Sequence, residues 1–521
     1  MFYSVPIDWL AKRDFLTPDE VGIIDGDRNK KYTYHELNIR ANRLANAFRG
    51  KCKIAKGDRI AVLAGMCSEY VEIYFAANKI GAIMVPINIR LKEKEIKFII
   101  EDCNAKVLMF SNEYQETIEK LRPDIGVEFY LKIDANSGDE IVSLENLISD
   151  CSPSEPEKRY EITFDDPHQI IYTSGTTGFP KGAIITHSQI VWNAINAIIA
   201  NDITSDDTTL NVAPLFHTAG WHCNLTPQLI AGGTVILKTF QPEESLTLIK
   251  KENVTFMGGV SVIWLFMMQS PEFEKSDLSS LRLAWSGGAP LPQSVFETYR
   301  KRGVILQQGY GLTEVGPWAM GPLRKKDAIR KYDSIGKPTF YGEMRVVNEK
   351  DKDVATGEIG ELIFRGPHVT SGYWNNPEAT KEAIRDGWFY TGDLVKLDAE
   401  GFTYIVDRKK DMYKSGGENV YPVEIENILY SHPNIAEVAV IGVPDERWGE
   451  VGKGIVVGKP GQQVTEKEII EFCENRMAKF KVPKSVEFID CLPRTPAGKI
   501  IKRELREKYW EKQAKRVYGG T

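Results

Sequence analysis

The chain has 521 residues, of which 42% are hydrophobic and 26% charged, and its formal net charge is −6. This composition is typical of a soluble globular protein of two or three domains, and the net charge excludes a global basic field for nucleic acid. Seven scattered cysteines without a Cys-x-x-Cys pair argue against a disulfide framework or zinc site and favour a reducing compartment. The sequence shows no apolar signal core and no run of about 18 apolar residues, so we expect a cytoplasmic protein without a membrane span.

Short apolar runs alternate with helical patterns over most of the chain. "RIAVLAG" (59–65) predicts a buried strand, and "SEYVEIYFAANKIGA" (68–82) predicts an amphipathic helix after it. This rhythm predicts an α/β fold with parallel sheets covered by helices. It continues with the strand "AIMVPINIR" (82–90), the helix "LKEKEIKFIIEDCN" (91–104) and the strand "AKVLMFS" (105–111), and returns in "TTLNVAPL" (208–215), "TVILKTF" (234–240), "VTFMGGV" (254–260), "LRLAWSG" (281–287) and "VILQQGYG" (304–311).

The pattern changes near residue 400. "GFTYIVDRKKDMYKSGGENVYP" (401–422) ends an apolar strand in a charged run, and the residues after it have a helix and strand pattern of their own. We therefore predict an N-terminal domain at 1–407 and a C-terminal domain at 408–521. The charged run is predicted to be the linker, with a solvated turn between strands as the alternative. The Lys- and Arg-rich tail (499–516) is typical of a solvated helix face.

The stretch "YTSGTTGFPKGA" (172–183) places glycine and hydroxyl residues before a single lysine. Such a loop can lay backbone N–H groups against phosphate oxygens because no side chain projects from a glycine Cα. The spacing is not that of a Walker A loop, since Pro180 rather than glycine precedes the lysine. A polyphosphate site is predicted, with a flexible surface loop as the alternative. The predicted contacts are Thr173, Ser174, Gly175, Thr176, Thr177, Gly178 and Lys181.

Further glycine-rich turns follow predicted strands, where ligands bind in open α/β sheets. In "GYGLTE" (309–314), Tyr310 could stack on a nucleobase and Glu314 could hold Mg²⁺ on phosphate oxygens. In "YTGDL" (390–394), Asp393 is a natural acceptor for a ribose diol, and "PRTPAGKI" (493–500) offers Lys499. Core packing for Tyr310, simple exposure for Glu314 and a surface charge for Lys499 are the respective alternatives.

Together and in this order, these motifs resemble the adenylate-forming superfamily of acyl-CoA synthetases, adenylation domains and beetle luciferases. The resemblance implies a large N-terminal domain of two doubly wound α/β subdomains plus a small β-barrel, with a small mobile α+β C-terminal domain. It also implies that ATP activates a carboxylic acid to acyl-AMP with release of pyrophosphate, and that the thiol of coenzyme A then displaces AMP.

Within this superfamily the chain looks most similar to fatty-acyl-CoA synthetases of the bacterial long- and very-long-chain group. "APLFHTAGW" (213–221) resembles their segment at the acyl tunnel, so a medium- or long-chain fatty acid is the leading substrate class. That group carries an arginine-rich lid for membrane docking, whereas "ANDITSDDTT" (200–209) is acidic here. This departure argues against peripheral membrane attachment.

The resemblance also implies roles for individual residues, together with ATP, Mg²⁺ and coenzyme A as cofactors. Lys499 and Thr313 would act on the α-phosphate, while Glu314 and Thr176 would hold Mg²⁺. The adenine and ribose contacts would be Gly287, Gly288, Ala289, Gln308, Gly309, Tyr310, Gly311, Asp393 and Arg408. Lys410 would be the hinge of the C-terminal domain, and Gly416 and Gly417 would border the pantetheine. The acyl-group contacts would be His217, Trp221, Trp285 and Gly311, with His217 shifting between the two reaction states.

Several alternatives stay open from the sequence. The acid could be short or aromatic, or the acceptor could be a carrier-protein thiol rather than coenzyme A. A catalytically inactive nucleotide sensor is opposed by the joint presence of Lys499, Glu314, Asp393 and Arg408. His217, His222 and Cys223 fit no strong zinc pattern, and a structural ion pair is the alternative role for Lys181. The oligomeric state is also open, with a homodimer among the alternatives.

Overall fold

The computed structural model describes residues 8–134, 141–158, 161–173, 180–462, 464–494 and 500–518, with side chains described as far as residue 510. The chain divides into two compact units. Unit 1 comprises Met1–Glu343 and Phe364–Phe389, and unit 2 comprises Met344–Ile363 and Tyr390–Thr521.

Unit 1 contains two large sheets and a short hairpin. Its strands are β1 (Val21–Asp25), β2 (Lys30–Thr33), β3 (Arg59–Leu63), β4 (Ile83–Pro86), β5 (Ala105–Phe110), β6 (Phe129–Lys132), β7 (Pro167–Thr173), β8 (Lys181–Thr186), β9 (Thr208–Asn211), β10 (Thr234–Leu237), β11 (Phe256–Gly259), β12 (Leu283–Ser286), β13 (Leu306–Gln308), β14 (Tyr310–Leu312) and β15 (Gly316–Met320).

The strand order of both large sheets confirms the predicted doubly wound α/β class. The first sheet has the order β13-β12-β11-β9-β10-β1-β2, and the second has the order β6-β5-β3-β4-β7-β8. Within each sheet the strands are parallel except for one antiparallel edge strand, β2 in the first and β8 in the second. The carboxyl ends of neighbouring strands therefore lie along one edge of each sheet.

Helices connect and cover these sheets in unit 1. They are α1 (Trp9–Leu16), α2 (Tyr34–Gly50), α3 (Ser68–Ile80), α4 (Glu93–Asp102), α5 (Gln115–Leu121), α6 (Leu144–Ile148), α7 (His187–Asn201), α8 (Thr226–Ala231), α9 (Pro242–Lys251), α10 (Ser261–Gln269), α11 (Gln293–Lys301), α12 (Lys325–Arg330) and α13 (Pro377–Ala383). Two 3₁₀ turns (Asn112–Tyr114 and Phe273–Lys275) and a π-helical turn (Ala219–Cys223) complete the helical segments of this unit.

Helix α3 differs from the predicted amphipathic helix because it is buried along almost its whole length. Its carboxylates are paired with arginines distant in the sequence: Glu69 accepts from Arg28 at 2.5 Å, and Glu72 accepts from Arg40 at 2.7 Å. Buried charges are stable only when they are paired in this way. Burial nevertheless raises the pKa of Glu72 to about 7. The helix packs in a core formed by residues of both sheets together with α2.

A third sheet belongs mostly to unit 2. Its strands are β16 (Glu343–Val347), β17 (Ile359–Arg365), β18 (Ile384–Arg385), β19 (Trp388–Leu397) and β20 (Thr403–Arg408). Their order is β16-β17-β19-β18, and β20 pairs with β19.

The C-terminal part of unit 2 has its own sheet and core. Its elements are β21 (Tyr413–Ser415), β22 (Glu418–Val420), α14 (Pro422–Leu429), β23 (Ile435–Asp445), β24 (Gly449–Gly458), α15 (Glu466–Glu474), β25 (Ser485–Phe488) and α16 (Lys502–Tyr518). The sheet order is β22-β21-β24-β23, with β25 on β24, and apolar residues of α14 and α15 pack against it. In the described parts of the chain, no helix is long and apolar enough to cross a membrane.

Candidate active site

The predicted phosphate loop joins two antiparallel strands of unit 1. Thr173 at the end of β7 pairs with Lys181 at the start of β8, and the Thr173 hydroxyl donates to the Lys181 carbonyl at 3.4 Å. Ser174, Gly175, Thr176, Thr177 and Gly178 lie outside the described residues. The two strands thus fix both ends of the loop at the edge of the second sheet.

Glu314 shares an aromatic partner with Lys181, and this partner is a residue that sequence reasoning missed. The Tyr373 hydroxyl donates to Glu314 Oε1 at 2.9 Å, and Lys181 Nζ lies 5.5 Å from the centre of the Tyr373 ring. Burial, followed by the charge of Glu314, raises the pKa of Tyr373 above its ordinary value. The phenol therefore stays protonated and donates to the carboxylate. The structure brings Lys181 and Glu314, both predicted from motifs, to one aromatic side chain.

The predicted adenine contacts lie at the carboxyl ends of β12 and β13. Tyr310 is nearly parallel to Phe364, with an interplanar angle of 22° and a centroid distance of 6.1 Å. Gln308 is buried, and its side-chain oxygen accepts from the Leu291 N–H at 3.3 Å. An added Cβ at Gly309 would make an ordinary contact with Trp318 at 3.5 Å, whereas at Gly311 it would lie 2.4 Å from the Gly316 carbonyl oxygen. Gly311 is thus required by the β14–β15 hairpin, whatever ligand it contacts.

The remaining predicted residues of this region lie in the turn after β12 and in the hairpin. Gly287 is buried, Gly288 has a φ of +76°, and Ala289 is half-buried. Thr313 is buried, and its carbonyl accepts from Gln189 Nε2 at 2.8 Å. The Thr370 N–H donates to the Glu314 carbonyl at 2.7 Å. The Gln189 side chain and the Thr370 main chain therefore both hold the backbone of residues 313–314.

Two tryptophans fill the space beside the ends of β11 and β12. The Trp285 indole lies directly on Gly258, where an added Cβ would be 1.6 Å from Trp285 Nε1. Trp318 packs against it with a centroid distance of 5.1 Å. Only a residue without a side chain can stand at position 258 beneath this ring. The indole therefore occupies volume that a ligand at these strand ends would otherwise use.

His217 precedes the π-helical turn, and Trp221 lies within it. His217 Nδ1 accepts from the Ala219 N–H at 3.1 Å. Trp221 is fully buried, donates its indole N–H to the Leu215 carbonyl and stacks on Tyr74 at 4.6 Å with an angle of 16°. These contacts are those of a core residue, and the predicted gating of an acyl tunnel stays a prediction.

The predicted ribose pair is assembled within unit 2. Asp393 and Arg408 face each other across the β19–β20 ladder, and Arg408 Nε donates to Asp393 Oδ1 at 2.9 Å. Glu361 stabilises the same turn, because its carboxylate accepts from the Gly392 N–H at 3.1 Å and from Lys409 Nζ at 2.9 Å. The sequence motif gave no indication of Glu361, since it lies about thirty residues away in β17.

The predicted hinge and pantetheine residues also lie in unit 2. Lys410 is exposed, and its carbonyl accepts from Arg506 Nη1 of α16 at 2.9 Å. Gly416 and Gly417 have φ angles of +60° and +89° and form a two-residue turn between β21 and β22, the geometry that favours glycine in tight hairpins. Lys499 lies outside the described residues, although Arg494 and Ile500 on either side of its loop pair as an antiparallel bridge.

Comparison with known proteins decides the family. The family model described as AMP-binding enzyme matches residues 11–374, and that of the AMP-binding enzyme C-terminal domain matches residues 424–499. The chain belongs to the AMP-binding enzymes. The two matches together extend over most of the described structure, so the predicted resemblance to adenylate-forming enzymes is confirmed.

Three similar proteins illustrate the range of the family. Feruloyl-CoA synthase of an Amycolatopsis species is 40% identical over 502 residues, covering 96% of this chain and 98% of that protein. The long-chain-fatty-acid–CoA ligase FadD13 of Mycobacterium tuberculosis is 36% identical, again covering 96% and 98%. The solved structure of the anthranilate CoA ligase AuaEII in complex with anthranoyl-AMP superposes with a TM-score of 0.88 at 28% identity, covering 98% of each chain. This AMP-binding enzyme is an acid–thiol ligase of the class that these relatives represent.

Proposed function

We propose that this enzyme converts a carboxylic acid, ATP and coenzyme A into acyl-CoA, AMP and pyrophosphate in two steps. In the first step a carboxylate oxygen attacks the α-phosphorus and pyrophosphate leaves. In the second step the thiol sulfur attacks the acyl carbonyl, AMP leaves and the thiol proton passes to solvent. The observation that carries the proposal is that Thr173 and Lys181 pair at the two ends of the glycine-rich loop, and that Lys181 and the carboxylate of Glu314 both contact Tyr373.

The first step brings two anions together, so positioned charge carries much of the catalysis. Lys181 would contact the pyrophosphate oxygens, and Lys499 would contact the carboxylate and α-phosphate. Glu314 and the hydroxyl of Thr176 offer oxygen ligands, which fit a hard divalent cation such as Mg²⁺. When bound, Mg²⁺ supplies charge neutralisation at the phosphates. Asp393 and Arg408 would hold the ribose hydroxyls, with Tyr310 against the adenine.

We propose an aromatic or short acid as the substrate class. The indole of Trp285 on Gly258, closed further by Trp318, leaves little depth at the ends of β11 and β12 for a long chain. Flat aromatic walls also suit an aromatic acid, because rings pack well by offset or edge contacts. The similarity to feruloyl-CoA synthase, whose name indicates an aromatic acid, supports this choice.

A medium- or long-chain fatty acid is the second candidate. Small side chains border the two tryptophans in the same cluster, including Ala197, Ala219 and Cys223. In the described part of the chain, the buried indole N–H of Trp285 has no protein acceptor, so no protein hydrogen bond fixes this ring orientation. Rotation of the ring would lengthen the site, and the similarity to FadD13 supports this candidate.

The experiment is a panel of acids from acetate to palmitate, with benzoate and ferulate, at fixed Mg²⁺ and ATP. Acid-dependent exchange of labelled pyrophosphate into ATP without coenzyme A measures adenylation, and CoA-dependent AMP release measures the second step. We expect exchange with at least one acid and AMP release with the same acid. Absence of exchange with every acid would overturn the adenylation proposal. Exchange without CoA-dependent AMP release would identify a carrier-protein acceptor instead.

A further inference from the structure

Tyr373 contacts two charged groups of the candidate site at once. Its hydroxyl donates to Glu314 Oε1 at 2.9 Å, and its ring lies 5.5 Å from Lys181 Nζ. Glu314 follows β14 and Lys181 begins β8, so the two charges come from separate parts of unit 1. Tyr373 belongs to neither of the motifs that predicted them.

The backbone around Tyr373 is fixed from three directions. Its own N–H donates to Thr380 Oγ1 at 2.9 Å, and the following N–H, of Trp374, donates to the Gly182 carbonyl at 2.7 Å. On the preceding side, the Gly372 carbonyl accepts from the Ile184 N–H at 3.0 Å. Both main-chain bonds tie Tyr373 to β8 immediately after Lys181. A side chain anchored in this way can set the position of its partners rather than follow them.

The phenol can orient the charged groups of Glu314 and Lys181 without neutralising either of them. An arginine or lysine in its place would neutralise Glu314, whereas a neutral hydroxyl orients the carboxylate by one hydrogen bond and leaves its negative charge for a cation. The aromatic face attracts the Lys181 ammonium through its quadrupole and leaves the positive charge for phosphate oxygens. Hydrogen bonds to charged groups are stronger than those between neutral groups.

We propose that Tyr373 is a positioning residue for the binding of Mg·ATP, which sets the carboxylate of Glu314 and the ammonium of Lys181 relative to each other. This inference rests on the proposed function and adds a residue that acts through two others. The two parts of the Tyr373 side chain are predicted to have different effects. The hydroxyl serves the divalent cation through Glu314, and the ring serves the phosphates through Lys181.

The test compares Tyr373→Phe, which removes only the hydroxyl, with Tyr373→Leu, which also removes the aromatic face. ATP affinity is measured by calorimetry with and without Mg²⁺, and the Mg²⁺ dependence of pyrophosphate exchange is measured in parallel. The matched control is Tyr404→Phe in unit 2, where the hydroxyl donates to Asp398 Oδ2 at 3.0 Å and neither residue is a predicted ligand contact.

We expect Tyr373→Phe to raise the Mg²⁺ concentration for half-maximal exchange about tenfold, the scale of one charged hydrogen bond. Its ATP affinity without Mg²⁺ should stay close to that of the wild type. Tyr373→Leu should weaken ATP binding a further few-fold in both conditions, the scale of an exposed or half-buried cation–π contact. Tyr404→Phe should change neither quantity.

An unchanged Mg²⁺ dependence in Tyr373→Phe would overturn the inference, as would an equal change in Tyr404→Phe. The unfolding temperature of each variant is measured as well, to distinguish a positioning role from loss of the fold. If Tyr373 is a positioning residue, its variants should show the changes in ligand binding while their unfolding temperatures stay near that of the wild type. If no acid supports exchange, the proposed function fails, and calorimetry of ATP with Mg²⁺ still decides the role of Tyr373.

Discussion

Trp285 is the residue on which the proposed choice between substrate classes rests. Truncating a tryptophan removes a large apolar ring, and here the ring lies on Gly258 with no side chain beneath it. We expect Trp285→Ala to raise kcat/KM for decanoate relative to ferulate at least tenfold, because contact with the new volume grows with chain length. The measurement is the ratio of the two specificity constants in wild type and variant.

Trp264→Ala is the matched control for this prediction. Trp264 is fully buried in the same unit, but it packs in a different core cluster, and its indole N–H donates to the Trp285 carbonyl at 3.0 Å. This variant should lose stability, by about 3–5 kcal/mol for a buried aromatic, without changing the preference between acids. If both variants leave the ratio unchanged, Trp285 does not limit the depth of the acid site.

At the same scale, the sequence predicted charged groups better than it predicted their partners. Lys181 and Glu314 could be selected because they stand in short motifs whose composition suits phosphate and Mg²⁺. Tyr373 could not be selected, because 59 residues separate it from Glu314 and only the pairing of its segment with β8 brings it there. Gly311 was selected for a ligand, whereas the structure shows that the hairpin itself requires a glycine.

Among the elements, strands were predictable where apolar runs end in glycine, as in β3, β11, β12 and β13. The burial of α3 was not predictable from its pattern, because the polar positions that suggested a solvent face find arginine partners on distant segments. The "DRKKD" run (407–411) contains the last two residues of β20 and the turn that follows, with Lys409 paired to Glu361. This fits the alternative interpretation of the run as a turn between strands. Its role as a linker stays a prediction.

Three buried histidines form a polar group among the elements of unit 1. His168 on β7 packs against Tyr74 at 4.3 Å and against His187 at 5.0 Å, while His222 Nε2 is 2.8 Å from Gln169 Oε1. Burial lowers the pKa of all three, to about 4 for His187 and to about 3 for His222. The folded protein therefore keeps these imidazoles neutral at pH values where the unfolded chain protonates them.

These shifts predict a loss of stability in acid. A lowered histidine pKa gives stability that is present above the unfolded value near 6.5 and is lost as the pH falls toward the folded value. Each imidazole contributes a slope of about 1.4 kcal/mol per pH unit in that window. The raised pKa of Glu72, about 7, acts in the opposite direction because its stabilising effect is lost as pH rises through that value. A histidine variant is therefore needed to measure the contribution of one imidazole to the pH dependence of stability.

The comparison is between the unfolding temperatures of wild type, His222→Gln and His35→Gln at pH 7.5 and pH 5.0. His222→Gln removes one buried titration, so its unfolding temperature should fall less than that of the wild type between the two pH values. His35 is exposed, with its ring 2.9 Å from Asp14 Oδ1, and its replacement should leave the pH dependence close to that of the wild type. Equal falls in wild type and His222→Gln would contradict this account.

For the whole molecule, the two family matches leave residues 375–423 between them, and the predicted boundary at 407/408 falls in that interval. β20 ends at Arg408, and the exposed Lys410 follows two residues later. A hinge must change φ and ψ and stay solvated, which suits an exposed charged residue. The contact from Arg506 to the Lys410 carbonyl is one that a hinge rotation would have to break or carry with it.

The C-terminal domain is predicted to be mobile, and the last prediction tests whether it alternates between two orientations for the two steps. Lys499 and the turn at Gly416 and Gly417 both belong to the predicted C-terminal domain, and both would serve the same acyl carbonyl at different times. If Lys499 acts only in adenylation, Lys499→Ala should lose about 10²–10³-fold in acyl-AMP formation, the scale for removing one charge-stabilising group. Supplied with preformed acyl-AMP, it should still form acyl-CoA at nearly the wild-type rate. Lys484→Ala, an exposed lysine of the same domain, is the matched control.

Lys410→Pro should behave in the opposite way. Proline fixes φ and removes a backbone donor, so it should hold the domain in the adenylating orientation, with acyl-AMP formation retained and thioester formation severely reduced. Lys410→Ala removes the charge and leaves φ unrestricted, so it should affect both steps much less. Each variant is assayed in both half-reactions, by pyrophosphate exchange and by acyl-CoA formation from acyl-AMP. Equal losses in both steps for Lys499→Ala and Lys410→Pro would mean that one fixed orientation serves both reactions, because neither residue would then distinguish them.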